Sequence, residues 1–469
     1  MNKVLLSLPC LLVALNCYSV EPAAHHALAP TPPMGWNSYD AFGATVTEEE
    51  FLANARYMKE KLQSHGWQYV VVDFRWADPE ARKKMFGNKG APLVMDEYGR
   101  LLPETKRWPS AAAGKGFKPV ADQVHAMGLK FGIHIMRGIP KLAVAQNLPI
   151  EGSNFRAADA AMTNSWCGWC PDMFGVDGSK PAGQAYYDSL FRLYASWGLD
   201  FVKVDDLSRP YHISEVEAVR KAIDKCGRPI VFSTSPGETP VKEAAHVVAN
   251  ANMWRIIGDF WDNWKSLDKA FDLVARWQGI GGPGHWPDSD MIPLGRIGIR
   301  CMGGSRMTKF TRDEQLTLMT LWSMAPSPLM FGGNLPDNDE WTLSMITNDE
   351  VLGVNQDVLG KPGVRVSSTK GVEVWSKDLA DGAKAVAIFN RGVLPPEPPK
   401  AKKGQKLEAV PTPAPIPVHK AEMASISFSS LGLAGNRQVR DLWLHKDLPA
   451  ADNFSAEIPP HGCVLLKVK

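Results

Sequence analysis

Short apolar runs ending in a carboxylate recur along the chain, each followed by a stretch of helical periodicity. No other feature constrains the fold as much. Phe201-Val-Lys-Val-Asp-Asp206 is the clearest case. Phe201, Val202 and Val204 suit a buried parallel strand, and Gly198 with Asp200 marks the turn before it. Lys203, Asp205 and Asp206 crowd its C-terminal end. In a barrel of parallel strands that end is the rim where catalytic residues gather. The plainer alternative, a strand running into a polar loop, fits one such stretch but not the recurrence.

In chain order, Pro32-Pro-Met-Gly-Trp-Asn-Ser-Tyr39 predicts a first strand and rim loop. Thr47 and Glu50 form a capping box, Phe51, Ala55, Met58 and Leu62 give the helix its buried stripe, and Gly66 ends it. Tyr69–Asp73 and Lys130–Ile135 predict the next two strands, delivering Asp73 and His134 to the rim. Residues 136–180 form a long excursion with two cysteines and several tryptophans, the kind of rim loop that shapes binding sites. A helix from about Gly183 to Trp197 leads into the Phe201 strand, and Ser214 with Glu217 predicts a second capping box. Pro229–Ser233, Ala251–Ile256, His285–Met291 and Pro328–Gly332 supply the remaining strands or rim segments. Helices over Trp264–Trp277 and Arg312–Met324 fill the intervals. This repetition predicts a (β/α)8 TIM barrel over residues 25–355. A doubly wound open sheet is the alternative, but neither a GxGxxG nor a P-loop pattern accompanies it.

Beyond Asn355 the texture changes. Gly371–Ser376, Lys384–Phe389 and Cys463–Val468 are short apolar or alternating runs bounded by turns, which predicts an antiparallel β-sandwich over 356–469. Residues 394–418 are Pro-rich and predict an extended loop. At the other end, Lys3 followed by an apolar run from Val4 to Leu15 predicts a signal peptide over 1–24, hence a periplasmic or extracellular protein. Leu15-Asn16 before Cys17 is a poor lipoprotein signal, and no other stretch is long enough to span a membrane. The net charge of +2 gives no nucleic-acid footprint. Cys167, Cys170, Cys226, Cys301 and Cys463 remain after cleavage. Cys167-Gly-Trp-Cys170 could be a tight disulfide, a redox pair or half a metal site. With no second CxxC or CxxH and no thioredoxin-like surroundings, a local disulfide is the expectation.

Asp73, Asp205–Asp206, Asp259 and Asp288–Asp290 close the strands, and two such carboxylates across one gap suit glycosidic cleavage. The pair stands about 5–5.5 Å apart for retention and about 6.5–9.5 Å for inversion. Lys203, two residues before Asp205, falls on the same strand face and can hold it ionised. Asp259 lies beside Ile257, Phe260 and Trp261, so desolvation is expected to keep it protonated. Arg255 could bind a sugar hydroxyl or orient a carboxylate.

Taken in order, Pro32-Pro-Met-Gly-Trp36, Phe201–Asp205, Trp254-Arg-Ile-Ile-Gly-Asp-Phe-Trp-Asp-Asn-Trp-Lys-Ser266, Trp286-Pro-Asp-Ser-Asp-Met291 and Arg440-Asp-Leu-Trp-Leu-His-Lys446 resemble the melibiase-type α-galactosidases, glycoside hydrolase family 27. The resemblance covers nearly everything after the signal peptide. It implies a retaining exo-glycosidase acting on terminal α-galactosides, without metal or other cofactor, whose partner is a carbohydrate substrate. It assigns Asp205 as nucleophile and Asp259 as acid/base, with Trp36, Tyr39, Asp73, His134, Lys203, Arg255 and Asp290 around the sugar. Four positions depart from the family pattern. Phe74 stands where a second Asp is usual, Tyr39 for Trp, His134 for Tyr, and Phe232-Ser-Thr-Ser-Pro236 where a strand often delivers Glu. Phe74 removes two acceptors and adds apolar bulk, which suits a sugar lacking the exocyclic hydroxymethyl, such as a β-L-arabinopyranoside, or a substituted galactoside. A non-catalytic carbohydrate-binding protein and a Cys167–Cys170 redox protein are the competing classes.

Overall fold

Eight short strands bring their C-terminal ends to one mouth, and their two-residue periodicity decides what that mouth contains. The computed structural model describes residues 23–81, 93–392 and 420–469. Nearly all of the expected signal peptide, and the Pro-rich loop 394–418, lie outside the described residues. The barrel strands are β1 (Met34–Asn37), β2 (Tyr69–Val72), β3 (Lys130–Met136), β4 (Phe201–Asp205), β5 (Val231–Thr234), β6 (Met253–Arg255), β7 (Trp286–Asp288) and β8 (Leu329–Phe331). Consecutive strands from β1 to β7 pair in parallel, and β8 pairs with β1. Just past β7, Ile292 closes the ring: its N–H donates to Met330 O at 2.8 Å and its carbonyl accepts from Gly332 N–H at 2.9 Å. The sheet is therefore closed, as the alternation of elements predicts.

In β4 the side chains of Val202 and Val204 point outward and are fully buried against the helices, while Phe201, Lys203 and Asp205 point to the axis. Phe201 joins Tyr69, Val71, Val231, Met253, Trp286 and Met330 in one cluster that plugs the barrel. Further along the same inward faces stand His134, Lys203, Asp205 and Arg255. The plug needs glycine at position 132, where a Cβ would come within 2.9 Å of Val71 and 3.0 Å of Phe201.

The helices follow from their caps and stripes. Thr47 and Glu50 close a capping box on Glu48–Tyr57, Phe51, Ala55, Met58 and Leu62 are all fully buried, and Gly66 ends the run at φ 93°. The capping box predicted at Ser214 and Glu217 does not form. The helix Ile213–Lys225 starts earlier, with His212 at its N-cap, so Ser214 already lies inside the first turn. Among the described residues no helix is long and apolar enough to cross a membrane.

The C-terminal strands Val364–Thr369, Val372–Asp378, Lys384–Asn390, Arg437–Asp441, Lys446–Ala451 and Cys463–Val468 form one antiparallel sheet. Glu422–Ser427 and Asn453–Ile458 pair opposite it. Val386, Ile388, Phe428, Ile458 and Leu466 fill the space between the two layers. The sandwich docks on the barrel helix Trp264–Arg276 through Arg391, 2.8 Å from Asp268, and through His461, whose ring stacks on Trp264 at 3.6 Å.

The expected Cys167–Cys170 disulfide is not formed; both are buried free thiols. Cys170 is engaged elsewhere, with its sulfur 3.4 Å from Arg75 Nη1 and 3.7 Å from Asp172 Oδ2.

Candidate active site

Tyr39, Asp73, His134, Lys203, Asp205, Arg255, Asp259 and Asp290 all line one cavity of about 200 Å³ at the C-terminal mouth of the barrel. That is below the roughly 300–1,000 Å³ of clefts for drug-sized ligands and suits a single sugar ring. Trp36 is the exception among the sequence-predicted residues. It points outward from β1, is fully buried with Phe42 and Phe51, and donates from Nε1 to Gly333 O at 2.7 Å. Its motif reads as a site, but period two turns its side chain into the core.

His134 joins two of the strand ends. Its Nδ1 lies 2.8 Å from Asp73 Oδ2 and its Nε2 lies 3.0 Å from Asp205 Oδ2. An ionised carboxylate only accepts, so both ring nitrogens must donate and the ring is an imidazolium. Burial alone would lower the His134 pKa, but Asp73 and Asp205 outweigh it and Lys203's repulsion, and the pKa is raised. The converse holds for the acids. Burial would raise Asp205, yet the hydrogen bond and charge of His134, then Lys203, hold it below the usual carboxylate range. Asp73 is likewise driven far down, against its burial, by His134 and Lys203. Lys203 therefore helps to keep Asp205 ionised, as predicted, but His134 does more.

On the other side of the cavity Arg255 is shared. Its Nη1 lies 2.8 Å from Asp290 Oδ1 and its Nη2 lies 3.3 Å from Asp259 Oδ1. Asp290 also accepts from Phe260 N–H at 2.8 Å, and its backbone takes φ 77°, an unusual conformation for a non-glycine residue that aims the carboxyl at Arg255. Burial pushes Asp290 up although Arg255 and Lys203 pull it down. The desolvation expected around Asp259 is not built in, because its side chain is 71% exposed at the cavity edge.

Phe74 covers one wall. Its ring lies 5.8 Å from Tyr39, 5.4 Å from His134 and 5.9 Å from Trp169, centre to centre. Asp40, missed in the sequence, also lines the cavity. Burial, then the Asp290 charge, pushes its carboxyl well above the ordinary range despite Lys203. Trp169, Arg209 and Trp261 come from rim loops and were not singled out either. The only signal for Trp169 was its place in the long Trp-rich excursion.

Among known proteins, the family model for alpha galactosidase A matches residues 174–357, and that for the alpha galactosidase C-terminal beta sandwich domain matches 369–468. An α-galactosidase A of Cellvibrio japonicus is 30% identical over 397 residues, 81% of either chain. An α-galactosidase of Oryza sativa is 28% identical over 449 residues, 94% of this chain and 85% of that one. Among solved structures, a GH27 β-L-arabinopyranosidase from Geobacillus stearothermophilus is 49% identical with a TM-score of 0.87, covering 95% of this chain and 98% of its own.

Proposed function

Because the chain belongs to glycoside hydrolase family 27, the melibiase-type retaining glycosidases, we propose that it removes terminal β-L-arabinopyranosyl groups in preference to α-galactosyl groups. Phe74 carries this reading. The two sugars share ring shape and differ at C5, where galactose bears a hydroxymethyl and arabinopyranose a hydrogen. An apolar wall of Phe74 between Tyr39 and Trp169 suits the hydrogen and leaves the extra hydroxyl without an acceptor. The likeness to a β-L-arabinopyranosidase supports the same preference.

In this reading Asp205, kept ionised by His134 and Lys203, attacks the anomeric carbon while Asp259 protonates the departing oxygen. Water then attacks the glycosyl ester, Asp259 takes its proton, and configuration is retained. Asp290 is the nearer carboxylate to Arg255, and Asp259 stands at the cavity edge, where it can reach the departing oxygen. Asp73, Lys203 and Arg255 bind sugar hydroxyls, with Tyr39, His134 and Asp290 completing the wall. We also place the mature chain outside the cytoplasm, on Lys3 and the apolar run after it; N-terminal sequencing of exported protein tests this.

A panel of nitrophenyl glycosides tests the preference. kcat/KM for the β-L-arabinopyranoside is expected to exceed that for the α-galactoside by at least about tenfold, the usual worth of one small group in a closed pocket. A ratio in the opposite sense rejects the reading.

A further inference from the structure

A second cavity, of about 410 Å³, adjoins the first and shares Trp169, Arg209 and Pro236 with it. Its wall holds Trp166, Asn164 and Ser165, and its floor is a buried ion cluster. There Arg137 Nε lies 2.9 Å from Asp206 Oδ2, and behind the lining its Nη1 lies 2.7 Å from Glu215 Oε1. Both carboxylates there are held by the one guanidinium.

The wall has a different character. Of the sixteen tryptophans in the chain, only Trp166 and Trp169 are exposed, at 51% and 36%, and they stand three residues apart on one loop beside the site. Exposed indole faces usually find a partner, since leaving them in water is unfavourable. Both rings are held in place. The Lys141 ammonium sits 5.3 Å from the Trp166 ring, and Trp169 meets Phe74 edge to face. Arg209 is exposed, makes no hydrogen bond or ion pair with another described residue, and lines both cavities.

We propose that this second cavity is the leaving-group subsite, and that it takes a neutral pyranose of an oligosaccharide or polysaccharide stacked on Trp166 and Trp169. The proposal rests on the reading of the first cavity as the site of the terminal sugar. The apolar face of a pyranose matches an indole in size, and Asn164, Ser165 and Arg209 can donate to its hydroxyls. The same subsite accepts an incoming sugar after the first step. An acceptor hydroxyl then attacks the anomeric carbon, the bond to Asp205 breaks, and Asp259 takes the hydroxyl proton.

The test compares two substrates with the same terminal sugar, a glycosyl fluoride and an oligosaccharide. Fluoride does not reach the second cavity. Trp166→Ala is expected to lower kcat/KM on the oligosaccharide about tenfold and to change the fluoride rate less than about twofold. It should also cut transfer to a sugar acceptor relative to water. Trp166→Phe, which keeps a stacking face, should recover part of the loss. An equal change on both substrates, or none on the oligosaccharide, overturns the subsite. A wild-type enzyme that turns over neither the arabinosyl nor the galactosyl fluoride overturns both readings; wild-type turnover with an unselective Trp166→Ala overturns this one alone.

Discussion

His134 Nε2 lies 3.0 Å from Asp205 Oδ2, and this contact ties the candidate nucleophile to a cation buried on the neighbouring strand. The histidine stands where a tyrosine is usual in the family, so a charged group replaces a neutral one against the attacking carboxylate. Replacing it by phenylalanine removes the donor and leaves the desolvation of Asp205 opposed only by Lys203 and the Asp206 N–H. The acid limb of kcat/KM is therefore expected to move upward in His134→Phe, with a loss of about tenfold or more at neutral pH. An unchanged acid limb contradicts this role.

The same group predicts a pH dependence of stability. The folded pKa of His134 is raised above its unfolded value of about 6.5. Its contribution is thus fully present below about pH 6.5 and is lost as pH rises through the folded pKa. Denaturant titrations of wild type and His134→Phe should converge as pH rises through that window. A gap that widens instead reverses the sign.

Asp205→Asn and Asp259→Asn separate the two carboxylates. Asp205→Asn is expected to lose several orders of magnitude in kcat, because it removes the attacking carboxylate. Asp259→Asn should lose most on poor leaving groups and least on a glycosyl fluoride, which needs no proton. Equal losses on all leaving groups would remove the acid role from Asp259.

Phe74→Asp restores the acceptors that the wall lacks. The galactoside-to-arabinoside ratio of kcat/KM should rise at least about tenfold, read on paired nitrophenyl substrates. A smaller change means that selectivity is set elsewhere in the cavity.

Trp36→Phe tests the correction to the sequence reading. Loss of the Nε1 bond leaves the Gly333 carbonyl without its donor and opens a small void. A stability loss of about 1–3 kcal/mol is expected with KM unchanged. A raised KM at unchanged stability would return Trp36 to the site.

The barrel was legible because its strands carry both signals at once, apolar runs and terminal carboxylates. Asp73, Lys203, Asp205 and Arg255 follow from strand register alone, since period two fixes which side chains meet the axis. Trp36 misled because a motif fixes a neighbourhood, not a direction. Asp40 arrives on the single helical turn Tyr39–Phe42, and Trp169 and Arg209 on rim turns, all too short for a periodicity that says which side chain faces inward. The exposure of Asp259 was hidden for the same reason: apolar neighbours in sequence do not make an apolar surrounding in space. Cys167 and Cys170 have the spacing of a disulfide, but Arg75 and Asp172 engage Cys170.

Trapping the covalent intermediate tests the account most directly. A 2-deoxy-2-fluoro-β-L-arabinopyranosyl fluoride slows both steps and lets the glycosyl enzyme accumulate, and peptide mass spectrometry then locates the label. The account predicts a single adduct on Asp205, formed faster than with the galactosyl counterpart. Label on any other residue, or faster labelling by the galactosyl reagent, would contradict it.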